Sequence, residues 1–156
     1  MIDIFIPGFG QVVLKYFVSD YTGTLSIDGF LINGIKSKIM ELSKILEIHI
    51  LTADTFSKAK EQLENLPVKL VVLKGKRLDI QKRNYIKKLG TENVFACGNG
   101  KNDRLMLKFA KISAAVCINE GCAIDSVKNS KIICKSPIDA MDLILNPKRL
   151  IATLRF

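Results

Sequence analysis

The sequence predicts an α/β fold in which a parallel sheet is covered by helices on both faces. Short, continuously apolar stretches alternate with stretches whose apolar residues recur every three or four positions. The first pattern is typical of buried parallel strands and the second of amphipathic helices. Neither a repeat nor a linker interrupts the 156 residues, of which 48% are hydrophobic. We therefore expect one domain over residues 1–156, with a substantial core.

The strands are predicted from apolar stretches and the turns between them. The turn Pro7-Gly8-Phe9-Gly10 separates two stretches rich in Ile, Val and Phe, which favours an opening hairpin. Asp28-Gly29 suits the two-residue turn of a smaller hairpin over 25–32. The predicted strands are 2–6, 12–19, 48–51, 68–73, 94–97, 114–118 and 132–134.

The helices are predicted from apolar spacing and from residues that start or end a helix. Ile35, Ile39 and Leu42 share one helical face. Gly90 is expected to end the helix before it, and Asp54 and Asp79 to cap helices. The predicted helices are 35–46, 56–66, 78–89, 105–110, 122–127, 138–145 and 147–154.

Composition excludes several classes of protein. The net charge is +9, but Lys and Arg are spread over the helices without interleaved aromatic residues. This pattern favours a surface that attracts phosphorylated anions over one that binds nucleic acid. No stretch approaches the ~18 apolar residues of a membrane span. The amino terminus carries Asp3 and lacks the basic region of a signal peptide. The four cysteines show no CxxC spacing, so we expect reduced, buried thiols and a cytoplasmic location.

Polar residues follow three of the predicted strands at their carboxyl ends. They are Asp20, Thr52 and the loop 99–103. In open parallel sheets ligands bind outside these strand ends, and a Lys from a neighbouring helix could reach the same place. A carboxylate that can attack phosphorus, oxygen ligands for a divalent metal, a hydroxyl and a cation are the groups that phosphoryl transfer needs.

These residues resemble the motifs of the haloacid dehalogenase (HAD) superfamily, in the same order along nearly the whole chain. Asp20-Tyr21-Thr22-Gly23-Thr24-Leu25 is similar to its first motif, in the form found in P-type ATPases. Leu51-Thr52 resembles the second motif, Lys82 the third, and Gly98-Asn99-Gly100-Lys101-Asn102-Asp103 the fourth. The likeness is strongest to small P-type-ATPase-like proteins without a membrane region. It implies a three-layer Rossmann-like fold with strand order 5-4-1-2-3.

The resemblance also implies roles for individual residues. Asp20 would be the nucleophile that becomes an aspartyl-phosphate, and the other catalytic residues would be Thr22, Thr52 and Lys82. Phosphate would be bound by Tyr21, Thr52, Ala53 and Lys82. Mg²⁺ would be bound by Asp20, the backbone carbonyl of Thr22, Asn99 and Asp103.

Some assignments have alternatives. Lys74 also follows a strand end and is the main competitor of Lys82, ahead of Lys76 and Lys87. Thr52 could in addition cap the next helix. His49 is the only histidine and alternates within a short strand, which favours a packing role over a catalytic one.

Two residues depart from the usual HAD pattern. Thr22 stands where most phosphatases of the superfamily have an Asp that acts as general acid and base, and a hydroxyl cannot take a proton from water near neutral pH. Asn99 replaces the first acid of the fourth motif and removes one negative charge from the metal site. We therefore expect slow breakdown of the phosphoenzyme. The alternative function is a regulatory or phosphate-binding module with little turnover.

The predicted elements leave no room for a cap domain, either over 25–51 or over 53–81. The site is therefore expected to be open. Capless sugar-phosphate phosphatases, which this chain resembles in layout, assemble as tetramers through the hairpin after the first motif. Here that hairpin carries Ile27, Phe30, Leu31 and Ile32, so we expect a homo-oligomer, favouring a tetramer, that acts on a phosphorylated small molecule.

Overall fold

The computed structural model describes residues 1–53 and 57–156. The predicted helix over 56–66 and the predicted cap Asp54 therefore lie partly or wholly outside the described residues. The strands are β1 (Ile2–Ile6), β2 (Gly10–Leu14), β3 (Tyr16–Asp20), β4 (Ser26–Ile27), β5 (Phe30–Leu31), β6 (Glu47–Thr52), β7 (Val68–Val72), β8 (Val94–Gly98), β9 (Ile112–Val116) and β10 (Ile132–Cys134). The helices are α1 (Ile35–Leu42), α2 (Lys58–Gln62), α3 (Leu78–Leu89), α4 (Arg104–Phe109), α5 (Ile124–Asn129), α6 (Pro137–Leu145) and α7 (Pro147–Leu154), with short 3₁₀ turns at Thr91–Asn93 and Lys101–Asp103.

The main sheet confirms the predicted strand order. Within the described residues it has six strands in the order β10-β9-β8-β3-β6-β7, all joined in parallel. The five strands β9-β8-β3-β6-β7 correspond to the predicted order 5-4-1-2-3, and β10 extends the sheet beyond β9. Strand β3 lies at the centre, hydrogen-bonded to β6 on one side and β8 on the other.

Helices cover both faces of this sheet, as the sequence predicts. Successive residues of β3 point to opposite faces: Phe17 packs in the core cluster that includes residues of α1, α6 and α7, and Val18 packs in the cluster that includes residues of α3 and α4. Both side chains are fully buried. Burying a large apolar side chain stabilises a fold by roughly 1.5–3 kcal/mol, so a strand that is apolar on both sides secures the centre of the sheet.

The predicted strand over 12–19 is wrong as a single element. It is divided at Lys15 into β2, which pairs antiparallel with β1, and β3, which belongs to the parallel sheet. The Lys15 N–H donates to the carbonyl of Asn93 at 2.9 Å, and its carbonyl accepts from the Glu47 N–H at 3.0 Å. The apolar pattern continues across the division because residues on both sides of it are buried, so the pattern cannot show that the chain changes partners.

The small hairpin is confirmed, with β4 pairing antiparallel to β5. Its turn residues Asp28 and Gly29 both have positive φ, 53° and 86°, as a type I′ turn requires. We call β4, β5 and this turn the flap hairpin. In the described part of the chain, no cap domain is inserted before or after it. None of the described helices has the length and apolar character that crossing a bilayer requires.

The expectation of four reduced thiols is wrong for two of them. Cys117 and Cys122 form a disulfide, whereas Cys97 and Cys134 are buried free thiols. A turn at Gly121, with φ 73°, brings the chain back on itself, so that the two cysteine Cα atoms lie 5.0 Å apart. Linear spacing does not reveal such a turn. Cys97 and Cys134 are thus reduced and buried, as predicted, whereas the disulfide removes Cys117 and Cys122 from the argument for a reducing compartment. The cytoplasmic location stays a prediction.

Candidate active site

The strand order places the predicted site residues at one edge of the sheet. Asp20 ends β3, Thr52 ends β6, and the loop 99–103 begins where β8 ends. Because β3 lies between β6 and β8, Asp20 is flanked by both of the other segments. The sheet topology alone thus brings the first, second and fourth sequence motifs together.

The centre of the site is a buried cluster of two carboxylates and one ammonium group. The Lys82 Nζ donates to Asp20 Oδ1 at 2.6 Å and to Asp103 Oδ1 at 2.6 Å. Lys82 is 1% exposed and Asp103 is 0% exposed, so hydrogen bonds between these groups replace those that each would make to water. A charge is tolerated at such depth only when it is paired and hydrogen-bonded.

The geometry distinguishes Lys82 from its competitor Lys74. Lys74 is exposed, on the segment between β7 and α3, and its carbonyl accepts a hydrogen bond from Gln81 at 2.9 Å. Lys82 lies farther along, within α3, on the buried face that also carries Ile86. A long side chain from this face reaches under the sheet edge to Asp20, and the short segment before α3 leaves Lys74 in solvent.

Helix α3 is fixed against the fourth-motif loop by a second ionic contact. Asp79, in the first turn of α3, accepts from Arg104 at 2.6 Å and from Arg77 at 3.3 Å. These arginines hold the pKa of Asp79 at about 2. The cap position of α3 is Arg77, so Asp79 does not have the predicted capping role. It joins α3 to the start of α4 and thereby sets the position of Lys82 relative to Asp103.

The cluster shifts the proton affinity of its members. Burial and the nearby carboxylate of Asp103 raise the pKa of Asp20 to about 6, although the hydrogen-bonded Lys82 opposes this rise. Burial lowers the pKa of Lys82, but Asp20 and Asp103 outweigh that effect and raise it above the ordinary value. The proton therefore stays on Lys82, and the ammonium group remains a fixed positive charge beside the candidate nucleophile.

Backbone amides and a glycine hold Asp103 in place. Its Oδ2 accepts from the N–H groups of Asn99 at 3.0 Å and Gly100 at 2.9 Å, which leaves Oδ1 for Lys82. A Cβ at Gly98 would lie 2.6 Å from the Asp103 side chain. Only glycine fits there, so the fourth motif needs this residue in order to fold over its own carboxylate.

Thr24 is a site residue to which sequence reasoning assigned no role. Its hydroxyl lies 3.2 Å from Asp20 Oδ2 and 3.1 Å from Asn99 Oδ1, and the residue is fully buried. Asp20 Oδ2 and Asn99 Oδ1 therefore both lie beside the Thr24 hydroxyl, and Lys82 contacts the other Asp20 oxygen, Oδ1. The spacing of four residues between Asp20 and Thr24 across the tight turn at Gly23 is the signal that could have identified it.

The donor groups fit a hard divalent cation such as Mg²⁺. The described residues contain no cluster of three His, Cys, Asp or Glu side chains of the kind that binds metals. The site instead offers carboxylate oxygens of Asp20 and Asp103 and the amide oxygen of Asn99. Oxygen donors of this kind suit Mg²⁺, which is commonly held by one or two carboxylates.

The remaining predicted residues surround this cluster. Thr52 is buried at the end of β6, and Ala53 follows it in an exposed position. Thr52 does not cap α2, whose cap position is Ser57. Thr22 is exposed. The Tyr21 ring is buried and its hydroxyl donates to the Gly29 carbonyl at 2.7 Å, so this side chain supports the flap hairpin. Roles of these residues in phosphate binding stay predictions.

A loop that the sequence analysis did not consider also reaches the site. The Asp28 N–H of the flap hairpin donates to Glu120 Oε1 at 2.8 Å, and the Asn99 side chain donates to the Gly121 carbonyl at 3.1 Å. Glu120 and Gly121 lie between the two cysteines of the disulfide. The only sequence signal for this loop is a glycine between two cysteines just after an apolar strand.

The comparison with known sequences finds one family relationship. No protein-family model matches the chain. An uncharacterized protein of Methanocaldococcus jannaschii is 40% identical over 80 residues, which cover 49% of this chain and 86% of that protein.

The comparison with solved structures finds a shared fold at low sequence identity. The cobalt-bound deoxy-D-mannose-octulosonate 8-phosphate phosphatase of Haemophilus influenzae has a TM-score of 0.69 at 14% identity and covers 87% of this chain and 89% of its own. The 3-deoxy-D-manno-octulosonate 8-phosphate phosphatase of Moraxella catarrhalis, in complex with magnesium, phosphate and KDO, has a TM-score of 0.67 at 18% identity, covering 91% and 94%. A Legionella pneumophila structure assigned to the HAD superfamily has a TM-score of 0.66 at 16% identity, covering 89% and 87%.

At 14–18% identity these structures establish the architecture. The first, second and fourth motifs occupy the strand ends at which that architecture places a ligand, and the third motif, Lys82, reaches them from helix α3. The chain belongs to one family with the Methanocaldococcus jannaschii protein, and its fold, without a cap domain in the described residues, is that of the HAD superfamily.

Proposed function

We propose that the protein is a Mg²⁺-dependent phosphohydrolase that acts on small phosphomonoesters through an aspartyl-phosphate on Asp20. The observation that supports this most directly is the Asp20–Lys82–Asp103 cluster at the centre of the sheet edge. A carboxylate that attacks phosphorus must be held in position and must have its charge balanced as the anionic phosphate approaches. The buried ammonium group of Lys82 meets both needs.

In the first step an oxygen of the Asp20 carboxylate forms a bond to phosphorus. The bond between phosphorus and the leaving oxygen breaks, and its electron pair goes to the leaving group. Lys82 offsets the negative charge that Asp20 and the phosphoryl group bring together. Thr52 donates its hydroxyl to a phosphoryl oxygen, while Tyr21 and Ala53 complete the phosphate contacts.

Mg²⁺ would be held by Asp20, Asn99, Asp103 and the backbone carbonyl of Thr22. When bound, it supplies electrostatic screening between the carboxylates and the phosphate. Asn99 contributes oxygen without charge, so the site is less negative than one with a carboxylate at this position. We expect Mg²⁺ to bind, but weakly.

In the second step a water oxygen forms a bond to phosphorus, and the bond between phosphorus and the Asp20 oxygen breaks. Inorganic phosphate is released and the Asp20 carboxylate is restored. The attacking water must lose a proton, and an alkoxide leaving group in the first step must gain one. The Thr22 hydroxyl can do neither efficiently near neutral pH. A leaving group that departs as a stable anion needs no proton, so an acyl phosphate should phosphorylate Asp20 faster than an alkyl ester does.

The similar structures support this choice of reaction class. The Moraxella catarrhalis phosphatase is described with magnesium and phosphate, and the Haemophilus influenzae phosphatase with cobalt. Both are named for a sugar-acid phosphate substrate.

A second candidate function is favoured by Thr22. With an exposed threonine where a general base is needed, the protein could remain phosphorylated on Asp20 or simply hold phosphate, and act as a regulatory module with little turnover. A module that is phosphorylated on Asp20 shares the first step with the phosphohydrolase and differs from it only in the rate of the second, whereas a module that only holds phosphate takes neither step.

Rapid-quench labelling with radioactive acetyl phosphate and Mg²⁺ tests the proposal. We expect an acid-stable, hydroxylamine-labile label on the wild-type protein, and none on Asp20→Asn, because an amide is a far poorer nucleophile. Asp3→Asn, which changes a carboxyl on the β1–β2 hairpin, is the matched control and should label normally.

Release of phosphate from the isolated, labelled protein then separates the two candidates. Decay within seconds to minutes, together with turnover of phosphomonoesters, supports the phosphohydrolase. A label that persists for hours supports the regulatory module. Full turnover by Asp20→Asn would contradict both.

A further inference from the structure

The disulfide closes a short loop that lies beside the candidate metal site. Residues 117–122, here called the disulfide loop, follow β9 at the same sheet edge as Asp20. The Gly121 N–H donates to the Ile118 carbonyl at 2.7 Å inside this loop. The covalent bond and the turn together restrict the backbone on both sides of Glu120 and Gly121.

The disulfide loop and Ala123, the residue that follows it, hold Asn99 through one hydrogen bond each. The Gly121 carbonyl accepts from Asn99 Nδ2 at 3.1 Å, and the Asn99 carbonyl accepts from the Ala123 N–H at 2.7 Å. One bond fixes the side chain and the other the backbone. As a result Asn99 Oδ1 points towards Thr24, 3.1 Å away, and so towards the oxygen of Asp20 that Thr24 also contacts.

This orientation matters because the two ends of an amide differ. A carboxylate offers an oxygen in either of its two flipped orientations, whereas a flipped asparagine would turn its NH₂ group, which has only donor hydrogens, towards the cation. The Gly121 carbonyl can only accept a hydrogen bond. It therefore selects the orientation that leaves the amide oxygen facing the site.

The disulfide loop also fastens the flap hairpin. Glu120 Oε1 accepts from the Asp28 N–H at 2.8 Å. A Cβ at Gly23 would lie 2.5 Å from Asn99 Nδ2 and 2.9 Å from Glu120 Oε2, which shows how closely the loop, Asn99 and the first motif pack together. The same loop thus holds elements on two sides of the metal site.

We propose that the disulfide loop is a positioning element of the metal site, which orients the amide of Asn99 through the Gly121 carbonyl and so compensates for the absence of a carboxylate at that position. The inference rests on the proposed function, since it assumes that Asn99 is a metal ligand. Opening the disulfide frees the loop, weakens the hold on Asn99 and lowers the affinity for the cation.

The test is metal binding, measured without substrate. Mn²⁺ serves as a spectroscopic substitute for Mg²⁺, and its dissociation constant is measured by electron paramagnetic resonance for the oxidised wild-type protein and for Cys117→Ser combined with Cys122→Ser. A hydrogen bond is worth about 0.5–1.5 kcal/mol, so we expect binding to weaken roughly two- to tenfold without the disulfide. Circular dichroism establishes that the variant is folded.

The decisive measurement repeats this comparison in an Asn99→Asp background. A carboxylate presents an oxygen to the cation in either flipped orientation, so opening the disulfide should leave the Mn²⁺ affinity of the Asn99→Asp protein unchanged. An equal loss in both backgrounds, or no loss in the wild-type background, would overturn the inference and leave the proposed function standing. Absence of Mn²⁺ binding in every variant would overturn the proposed function and the inference with it.

Chemical reduction provides a second route that needs no substitution. A small dithiol transfers two electrons and two protons to Cys117 and Cys122 and is itself oxidised to a cyclic disulfide. It should weaken Mn²⁺ binding by the wild-type protein to the level of the double-serine variant. The same reagent should have no effect on that variant, and an effect there would show that the reductant acts elsewhere and overturn this reading.

Discussion

Among single residues, Lys82 connects stability to function most directly. Its ammonium group is buried and shared between Asp20 and Asp103. Among the residues that the structure describes, Lys82 is the cationic side chain paired with each of these carboxylates. Removing one member of such a buried group costs far more than removing a surface ion pair, because the remaining charges stay desolvated.

Lys82→Met should therefore lower the free energy of unfolding by about 3 kcal/mol. The methionine side chain keeps much of the shape of lysine and removes the charge. Urea denaturation followed by circular dichroism measures the change. Lys74→Met is the matched control, and as a surface substitution it should change the stability by less than about 0.5 kcal/mol. Equal effects of the two substitutions would contradict the assignment of Lys82 to the buried cluster.

We expect Thr22 to limit how fast the proposed phosphoenzyme decays. A general base contributes roughly 10²- to 10⁴-fold to a proton-transfer step, so Thr22→Asp should speed release of phosphate from labelled Asp20 by part of that range. The position is exposed, which leaves space for the carboxylate. Thr22→Asn, of similar size but without a base, is the control. A decay rate that is the same in Thr22→Asp, Thr22→Asn and wild type would show that deprotonation of water does not limit this step.

At the scale of elements, β6 and α3 are joined by a histidine to which the proposed reaction assigns no role. His49 on β6 is buried, with Nδ1 2.7 Å from the Tyr85 hydroxyl on α3 and Nε2 2.8 Å from Glu47 Oε1. Tyr85 lies one turn beyond Lys82 on the same helix. This agrees with the packing role expected from the sequence and indicates that the contact helps to place α3.

The contact makes stability depend on pH in a defined direction. Burial lowers the pKa of His49 from its ordinary value of 6.5, although Glu47 opposes the change and Lys69 adds to it. The folded state therefore resists protonation more than the unfolded chain does. The stability that His49 contributes is fully present above pH 6.5 and declines as the pH falls below that value.

Urea titrations at pH 8, 6.5 and 5 check this prediction for the wild type and for His49→Gln. The variant cannot take up the proton, so the difference in stability between the two proteins should shift in favour of the variant as the pH falls. Using the difference removes the contribution of other titrating groups, Asp20 among them. A difference that does not change with pH would contradict the prediction.

At the scale of the whole molecule, the flap hairpin is the most conspicuous apolar surface near the site. Phe30 is 59% exposed, with Lys58 over its ring at 4.9 Å, and Leu31 and Ile32 are only partly buried. No cap domain covers this edge in the described residues. We propose that a second copy of the chain does so, in a tetramer built on the hairpin.

Light scattering at micromolar concentration tests the assembly. We expect a mass near four times the 17.4 kDa of the chain. Phe30→Ser combined with Leu31→Ser should dissociate the assembly, because these substitutions remove the apolar surface whose burial would stabilise it. Phe109→Ser, which alters an exposed aromatic residue on α4, should leave the mass unchanged. A wild-type mass of one chain would contradict the proposal.

The sequence by itself determined the layers of the fold and the main residues of the site. Apolar strands such as β8 and amphipathic helices such as α3 carry their burial pattern in the residue order, so periodicity predicts them. Asp20, Thr52 and Asn99 could be identified because polar residues directly after core strands must meet at one sheet edge. These are local patterns, and they need no knowledge of distant contacts.

Only the tertiary structure decided which groups touch. The sequence already favoured Lys82 over Lys74, but the contact of Lys82 with Asp20 depends on residues far apart in the chain. The division of the predicted strand at Lys15 and the place of Thr24 between Asp20 and Asn99 depend on such distant contacts too. The same is true of the disulfide loop, whose carbonyl reaches Asn99 across 22 positions of sequence. Such contacts arise from packing and chain direction in three dimensions, which residue spacing along one dimension does not encode.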